Sequence, residues 1–252
     1  MKYSICLTVK GGDKQMIIQL SLCALSFIPS ILTFFYLRSF RKDDEVYHKD
    51  CQKLLFSGFG ICALVMLFGL VLRLPWVFLG LGKNNPMLEN LFMCFVINAL
   101  CEETAKFLAA RKYIYKDTGK TSRLDVYAYI TIAALSFALL EDVIYAISSN
   151  AGQIIVRGVL MGHVPEALIM AHFYSKAVEE KKTVYKVLAF LLPILLHGTY
   201  NFLLKDGLPE WTAMVELTLV AVETIGTYYT LFFFLRKKKD DPAYTRPIFT
   251  QE

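Results

Sequence analysis

The sequence predicts an all-α polytopic membrane protein, with about seven transmembrane helices around a polar cavity inside the bilayer. Residues 1–252 read as a single integral membrane domain. Three observations carry this. Of the 252 residues, 56% are hydrophobic and only 19% charged, whereas soluble proteins average roughly 45–50% apolar and 25% charged. Seven apolar runs are each about 20 residues long, the length a helix rising 1.5 Å per residue needs to cross about 30 Å of hydrocarbon. The basic residues gather in alternate connections between those runs. Disordered and ordinary soluble classes are excluded, and the net charge of +5 needs no nucleic acid to explain it.

The runs are residues 16–37, 54–72, 91–110, 124–147, 154–177, 184–204 and 209–235. The first is too long for the apolar core of a signal peptide. It is followed by Arg38 and Arg41 instead of a small-residue cleavage site, so it is expected to stay attached. The charged stretch 38–53 reads as a solvated loop with an amphipathic turn near Tyr47 to Leu54. After Arg73 comes LPWVFLGLG, too short to span and read as interfacial or re-entrant. The third run carries Glu102, Glu103 and Lys106, the fourth Glu141 and Asp142, and the seventh Glu216 and Glu223. The fifth has Arg157, His163 and Pro165, and the sixth His197 and Asn201. The tail 236–252 is expected to be basic and cytoplasmic. Six cysteines (Cys6, Cys23, Cys51, Cys62, Cys94 and Cys101) form no CxxC pair and read as small core residues.

Orientation follows from Lys and Arg. Nineteen of the 27 lie in the connections 38–53, 111–123 and 176–186 and in the tail; seven lie on the other side, and Lys106 is inside a run. Basic loops stay cytoplasmic, which places the protein in the cell membrane with its N-terminus outside and its C-terminus inside. Trp76 and Trp211 then fall at the outer interface, where amphipathic rings settle.

An acidic or basic side chain at a helix centre costs roughly 2.5–3.5 kcal/mol on insertion scales. Seven such groups would cost on the order of 15–25 kcal/mol if isolated, more than the roughly 5–15 kcal/mol that holds a domain together. They must be paired, neutralised or gathered around a wet cavity. Glu102 and Lys106 are four apart on one helical face, a spacing suited to an ion pair, and Glu103 with Lys106 reads equally well as a structural bridge. Phe137 and Glu141 repeat the spacing of four, as do His197 and Asn201. Pro165 removes a backbone donor and can loosen its helix, which is tolerated in a membrane only beside protein or a cavity. Asp142 and Glu166 are expected in a polar wall, and His172 at the helix end near the interface. Counted from the span ends, Glu141, His163, His197 and Glu102 all lie roughly 9–17 Å deep, compatible with one site in the outer half of the bilayer.

Such a set can hydrolyse an amide. A buried glutamate can take a proton from water, while a histidine and Asn201 donate to the developing oxyanion. Alternatively His163, His197 and Glu141 can hold a zinc ion, with a second glutamate as base; no HExxH occurs. A proton- or ion-coupled transporter also uses intramembrane acids, but the paired repeats common in transporters are absent from the sequence. A non-catalytic membrane scaffold is a third reading.

The motifs also carry a resemblance. EETAK at Glu102–Lys106, Phe137 to Glu141, His163 with Pro165 and Glu166, and HGTYN at His197–Asn201 together resemble the PrsW family of intramembrane proteases, relatives of the CAAX-prenyl endopeptidases. The resemblance covers roughly residues 91–204. It implies a glutamic-type or metal-dependent protease making the site-1 cut in a single-pass anti-sigma factor near the outer face. Carried over residue by residue, it implies Glu102 and Glu103 as activating carboxylates, Glu141 beside the water, His163 as base partner or ligand, and His197 with Asn201 as oxyanion donors. Lys106 and Asp142 support them. Asp142 stands where the family usually has Asn, and Asn201 where it often has Asp. The partners implied are a single-pass membrane substrate and the lipid bilayer, with no nucleic acid.

Overall fold

The computed structural model describes residues 12–148, 161–205 and 207–249. Among them the chain is helical throughout its long elements, and the extended pairing is a single bridge between Ser122 and Pro247. Four helices are long and apolar enough to cross a membrane: Gly58–Phe78, Arg123–Ile144, Thr183–Leu203 and Thr212–Lys238. They correspond to the expected second, fourth, sixth and seventh runs. The first run lies in a further helix, α1 (Gly12–Arg38).

Polarity in α1 is inverted relative to a soluble helix. Ser26, Ser30, Thr33 and Leu37 are buried on one stripe, while Leu25, Ile28, Ile31, Leu32 and Phe35 are exposed. Small polar residues let membrane helices approach closely, with apolar side chains left to face lipid, and the buried stripe packs on α6 (Arg123–Ser148). The expected amphipathic turn is a full helix, α2 (Glu45–Leu55). Asp44 caps it by accepting from the Tyr47 N–H at 2.9 Å, and Tyr47, Asp50, Cys51 and Leu54 form its buried face. Lys116 donates to both Asp50 oxygens at 2.8 and 2.6 Å, joining this helix to the end of α5 (Cys101–Ile114).

Helix α3 (Gly58–Phe78) corrects the interfacial reading of LPWVF, because the helix runs on through Pro75 to Phe78. Only 6% of its apolar window is buried. It touches α6 at Gly58, where a Cβ would lie 2.5 Å from the Ser136 carbonyl oxygen. The next run is also continuous: α4 (Pro86–Leu91), a π-helical segment Phe92–Leu100, then α5. Trp76 stacks on Phe92 with ring centroids 3.8 Å apart and donates to Glu89 at 2.7 Å.

The bundle is centred on α6, with 72% of its apolar window buried; a helix that is apolar all round belongs in a core. Around it pack α1, α3, α5 and α7 (Val164–Glu180), with α8 (Thr183–Leu203) against α7. The expected fifth run needs a correction. Its first part, including Arg157, lies outside the described residues, and residues 161–163 are a turn from which α7 starts at Val164. Pro165 therefore occupies the first helical turn, where its missing N–H is harmless, and is not a mid-helix kink. Helix α9 (Thr212–Tyr229) continues through a short π segment, Thr230–Phe234, into α10 (Leu235–Lys238). The combined stretch is only 17% buried in its apolar window. Nor is the tail merely solvated: in α11 (Pro242–Thr245) Tyr244 is buried, and beyond it Ile248 is buried, donating its N–H to the Thr121 carbonyl at 3.0 Å.

Candidate functional site

Four elements, α5, α6, the turn before α7, and α8, bring the chemistry-bearing residues together. The π segment Phe92–Leu100 feeds directly into Cys101, Glu102 and Glu103 at the start of α5. A π turn holds one more residue than an α turn and so rotates the residues after it; such segments are frequent at functional sites. Here the rotation leaves Glu102, Glu103 and Lys106 all buried in the first turns of α5. From the other side, α8 brings His197 to within hydrogen-bond distance of Glu103. Gly198 makes that approach feasible: a Cβ there would sit 2.3 Å from the Phe95 ring.

Glu103 is 1% exposed and its Oε1 is shared. It accepts from Lys106 Nζ at 2.6 Å and lies 2.8 Å from His197 Nδ1. The bridge from this helix to Lys106 therefore involves Glu103 and not Glu102. A carboxylate on Nδ1 fixes the imidazole's orientation and leaves Nε2 for other work. That Nε2 stands 3.6 Å from Glu102 Oε2. His163 completes the arrangement, its Nε2 2.7 Å from Glu141 Oε2 and 3.7 Å from Glu102 Oε2. The two imidazole centroids are 4.9 Å apart, and Phe137 packs edge-on against His163.

His163 reaches this position through its backbone. It precedes α7 with φ +62°, and Met161 two residues earlier has φ +54°. Left-handed conformations are disfavoured for residues with a Cβ and gather at functional sites. The turn 161–163 thus aims the ring at α5 and α6, a placement that a straight helix would not give.

Among the described residues, Glu102, His163 and His197 form the group able to hold a metal ion, each offering one atom within 4.8 Å of the others. The carboxylate in that group is Glu102. Glu141, expected in that place, hydrogen-bonds to His163 from α6 instead. Glu102 Oε2 is buried and has no hydrogen-bond partner. Next to the group is a cavity of about 40 Å³ lined by Glu141, His163, Glu166, His197, Tyr200, Asn201 and Glu223, together with Gly162 and Pro165. Asn201 is therefore beside the two histidines as expected. Asp142 is buried and is not among the residues that line the cavity. His172 is apart from the site, paired with the Tyr127 hydroxyl at 3.0 Å. Tyr200 and Gly162 are the lining residues that the sequence did not single out. Of the two acids on α9, Glu223 reaches the cavity, whereas Glu216 is half-buried elsewhere.

Comparison with known proteins identifies the family. The family model described as PrsW family intramembrane metalloprotease matches residues 51–235. The Protease PrsW of Clostridioides difficile (strain 630) is 29% identical over 218 residues, covering 81% of this chain and 87% of that protein. The Protease PrsW of Geobacillus kaustophilus is 27% identical over 230 residues, covering 86% and 90%. That of Oceanobacillus iheyensis is 30% identical over 172 residues, covering 65% and 79%. No solved structure matches the chain. The matched region spans the π segment, both histidines and every acid of the site, and the chain belongs to the PrsW family.

Proposed function

We propose that this chain is an intramembrane endopeptidase, a seven-span protein that hydrolyses a peptide bond of a single-pass membrane protein near the outer face. The substrate class we assign is an anti-sigma factor, cut at the first of its sites. The N-terminus is outside and the basic connections are cytoplasmic. The observation that carries the reading is the convergence of Glu102, His163 and His197, with a buried, unpartnered carboxylate oxygen aimed between two imidazoles.

That set fits a zinc-class ion. Two nitrogen or oxygen atoms on a tetrahedral zinc, each at about 2.0–2.1 Å, stand roughly 3.3 Å apart, and Glu102 Oε2 is 3.6 and 3.7 Å from the two Nε2 atoms. The orphaned oxygen of Glu102 is the donor such an ion would satisfy. When bound, the ion supplies Lewis acidity and makes water a nucleophile at neutral pH. Glu103, anchored by Lys106, holds His197 in the tautomer that presents Nε2. If His163 held the ion through Nε2, its hydrogen bond to Glu141 would be exchanged for that bond, with Glu141 still at the cavity wall. Glu141 then takes a proton from water and returns it to the leaving nitrogen. Asn201, lining the same cavity, can donate its amide N–H to the oxyanion. The cavity has room for roughly two or three water molecules, enough for the water that hydrolysis consumes.

The test is twofold. Membrane proteomes of cells carrying the wild type or Glu102→Ala are compared for a single-pass protein that accumulates at full length in the variant. Purified protein is assayed for metal, with about one zinc per chain expected and loss in His163→Ala and His197→Ala. Cleavage at the wild-type rate by Glu102→Ala would overturn the assignment. Full activity in metal-free protein would move the chemistry to glutamate alone.

A further inference from the structure

The hydrolytic reading gives Glu102 a role and leaves two other acids with unmet hydrogen-bonding capacity. Glu223 on α9 is 8% exposed and its Oε1 is buried without a partner. Glu166, in the first turn of α7, is 5% exposed and its Oε2 is likewise unpartnered. Both line the cavity shared by Glu141, His163, His197 and Asn201. Leaving a buried acceptor unpaired costs about as much as losing a hydrogen bond, and native proteins keep few such groups. Inside the bundle only the few water molecules that the cavity can hold are at hand to relieve that cost. Two at one wall, from different helices, indicate a ligand that brings donors.

Peptide hydrolysis makes such donors at this place. The C–N bond breaks and the water oxygen forms the new C–O bond. One water proton ends on the leaving nitrogen and the other stays with the new carboxylic acid. One product therefore begins with a primary amine, which has N–H groups to donate and lies in a site shielded from bulk water. We propose that Glu223, together with Glu166, forms a binding site for the amino terminus released by cleavage; the inference rests on the hydrolytic reading above. A cavity of about 40 Å³ is too small for a peptide, so one wall must move to admit it. The wall carrying Glu223 belongs to a stretch 17% buried in its apolar window, close to the 22% of α8 and far below the 72% of α6.

The experiment uses the full-length protein in lipid nanodiscs and two probes, trileucine amide with a free amino terminus and the same peptide N-acetylated. Binding is measured by calorimetry. The wild type should bind the free-amine form about tenfold more tightly, as expected for a hydrogen bond to a charged group. Glu223→Leu replaces an orphaned polar group with an apolar one, and retained metal content with an unchanged melting temperature confirms its fold. Its preference should fall to about twofold or less, and Glu223→Gln, which keeps an acceptor oxygen, should recover about threefold. No preference in the wild type, an undiminished one in Glu223→Leu, or a Gln variant no better than the Leu variant overturns the proposal. Cleavage by Glu102→Ala separates the two levels. If that variant is inactive while the peptides bind alike, the amine site alone is wrong. If it still cuts normally, the hydrolytic reading fails and the amine site with it.

Discussion

Gly198→Ala tests the packing that carries His197 to Glu103. An added Cβ would meet the Phe95 ring at 2.3 Å (Cδ1), 2.6 Å (Cε1) and 2.8 Å (Cγ). Carbon atoms pack at about 3.5–4.0 Å, so the ring or α8 must retreat by roughly 1 Å. Phe95 cannot simply swing away, because the clash includes Cγ, close to the backbone of the π segment. Overpacking of this kind costs about 1–3 kcal/mol. If α8 gives way, the His197–Glu103 contact at 2.8 Å lengthens beyond hydrogen-bond range, which adds about 1.5–3 kcal/mol for a bond to a charged group. Unfolding of the full-length protein in detergent micelles should show a loss of about 2.5–6 kcal/mol when both contributions act, together with displacement of His197 from Glu103. Phe95→Ala removes the obstacle, so Gly198→Ala should cost less in that background, with a coupling of at least about 1 kcal/mol. A Gly198→Ala protein within about 0.5 kcal/mol of wild type, or a cost unchanged by Phe95→Ala, would refute the close-approach reasoning.

Two further predictions concern charge. Lys106→Met leaves Glu103 buried without its counter-ion and should destabilise by about 3–5 kcal/mol; the double variant with Glu103→Gln should lose less than Lys106→Met alone, and an equal or larger loss in the double variant would mean that the pair is not the unit. At the α2 cap, the N–H that Tyr47 donates to Asp44 is the main reason its carboxyl sits below the usual range. A lowered folded pKa means stability that is fully present above the unfolded value of about 4 and lost as pH falls through the folded one. Asp44→Ala should therefore cost about 1 kcal/mol at neutral pH, and the gap from wild type should narrow as pH falls below about 4; denaturation at pH 7 and through a descending series below pH 4 measures both, and a gap that does not shrink along that series would exclude the cap as its source.

The spans were legible because length and apolarity act locally. Four of the seven runs coincide with helices that meet both criteria. The site residues were legible as charges where charge is expensive. What the sequence concealed was rotational phase. An apolar run reads the same whether its helix is α or π, so the π segment before Glu102 left no trace. Nor did periodicity reveal that Pro165 begins a helix instead of bending one, or that Pro75 does not end α3. Choosing Glu102 over Glu141 as the carboxylate facing both histidines needed the same missing phase. The docked tail escaped notice for another reason: Tyr244 and Ile248 are too few and too close together for any period to register.

The placement of unsatisfied groups separates structure from function among the intramembrane charges. Lys106, Glu103 and His197 form one chain of contacts, and Glu141 is held by His163. These pairs make the charges tolerable and fix the rings. Among the described residues, three carboxyl groups retain a buried oxygen without a hydrogen bond: Glu102, Glu166 and Glu223. A fold selected for stability alone would have paired them or replaced them with apolar groups at no loss. Instead, one lies between the two imidazoles and the other two line the cavity beside them. Among the carboxyl groups of the described residues, the unmet capacity gathers where an ion, a water molecule and a cleaved peptide would each supply what is missing, a pattern that a reacting centre would show and a buried salt-bridge network would not.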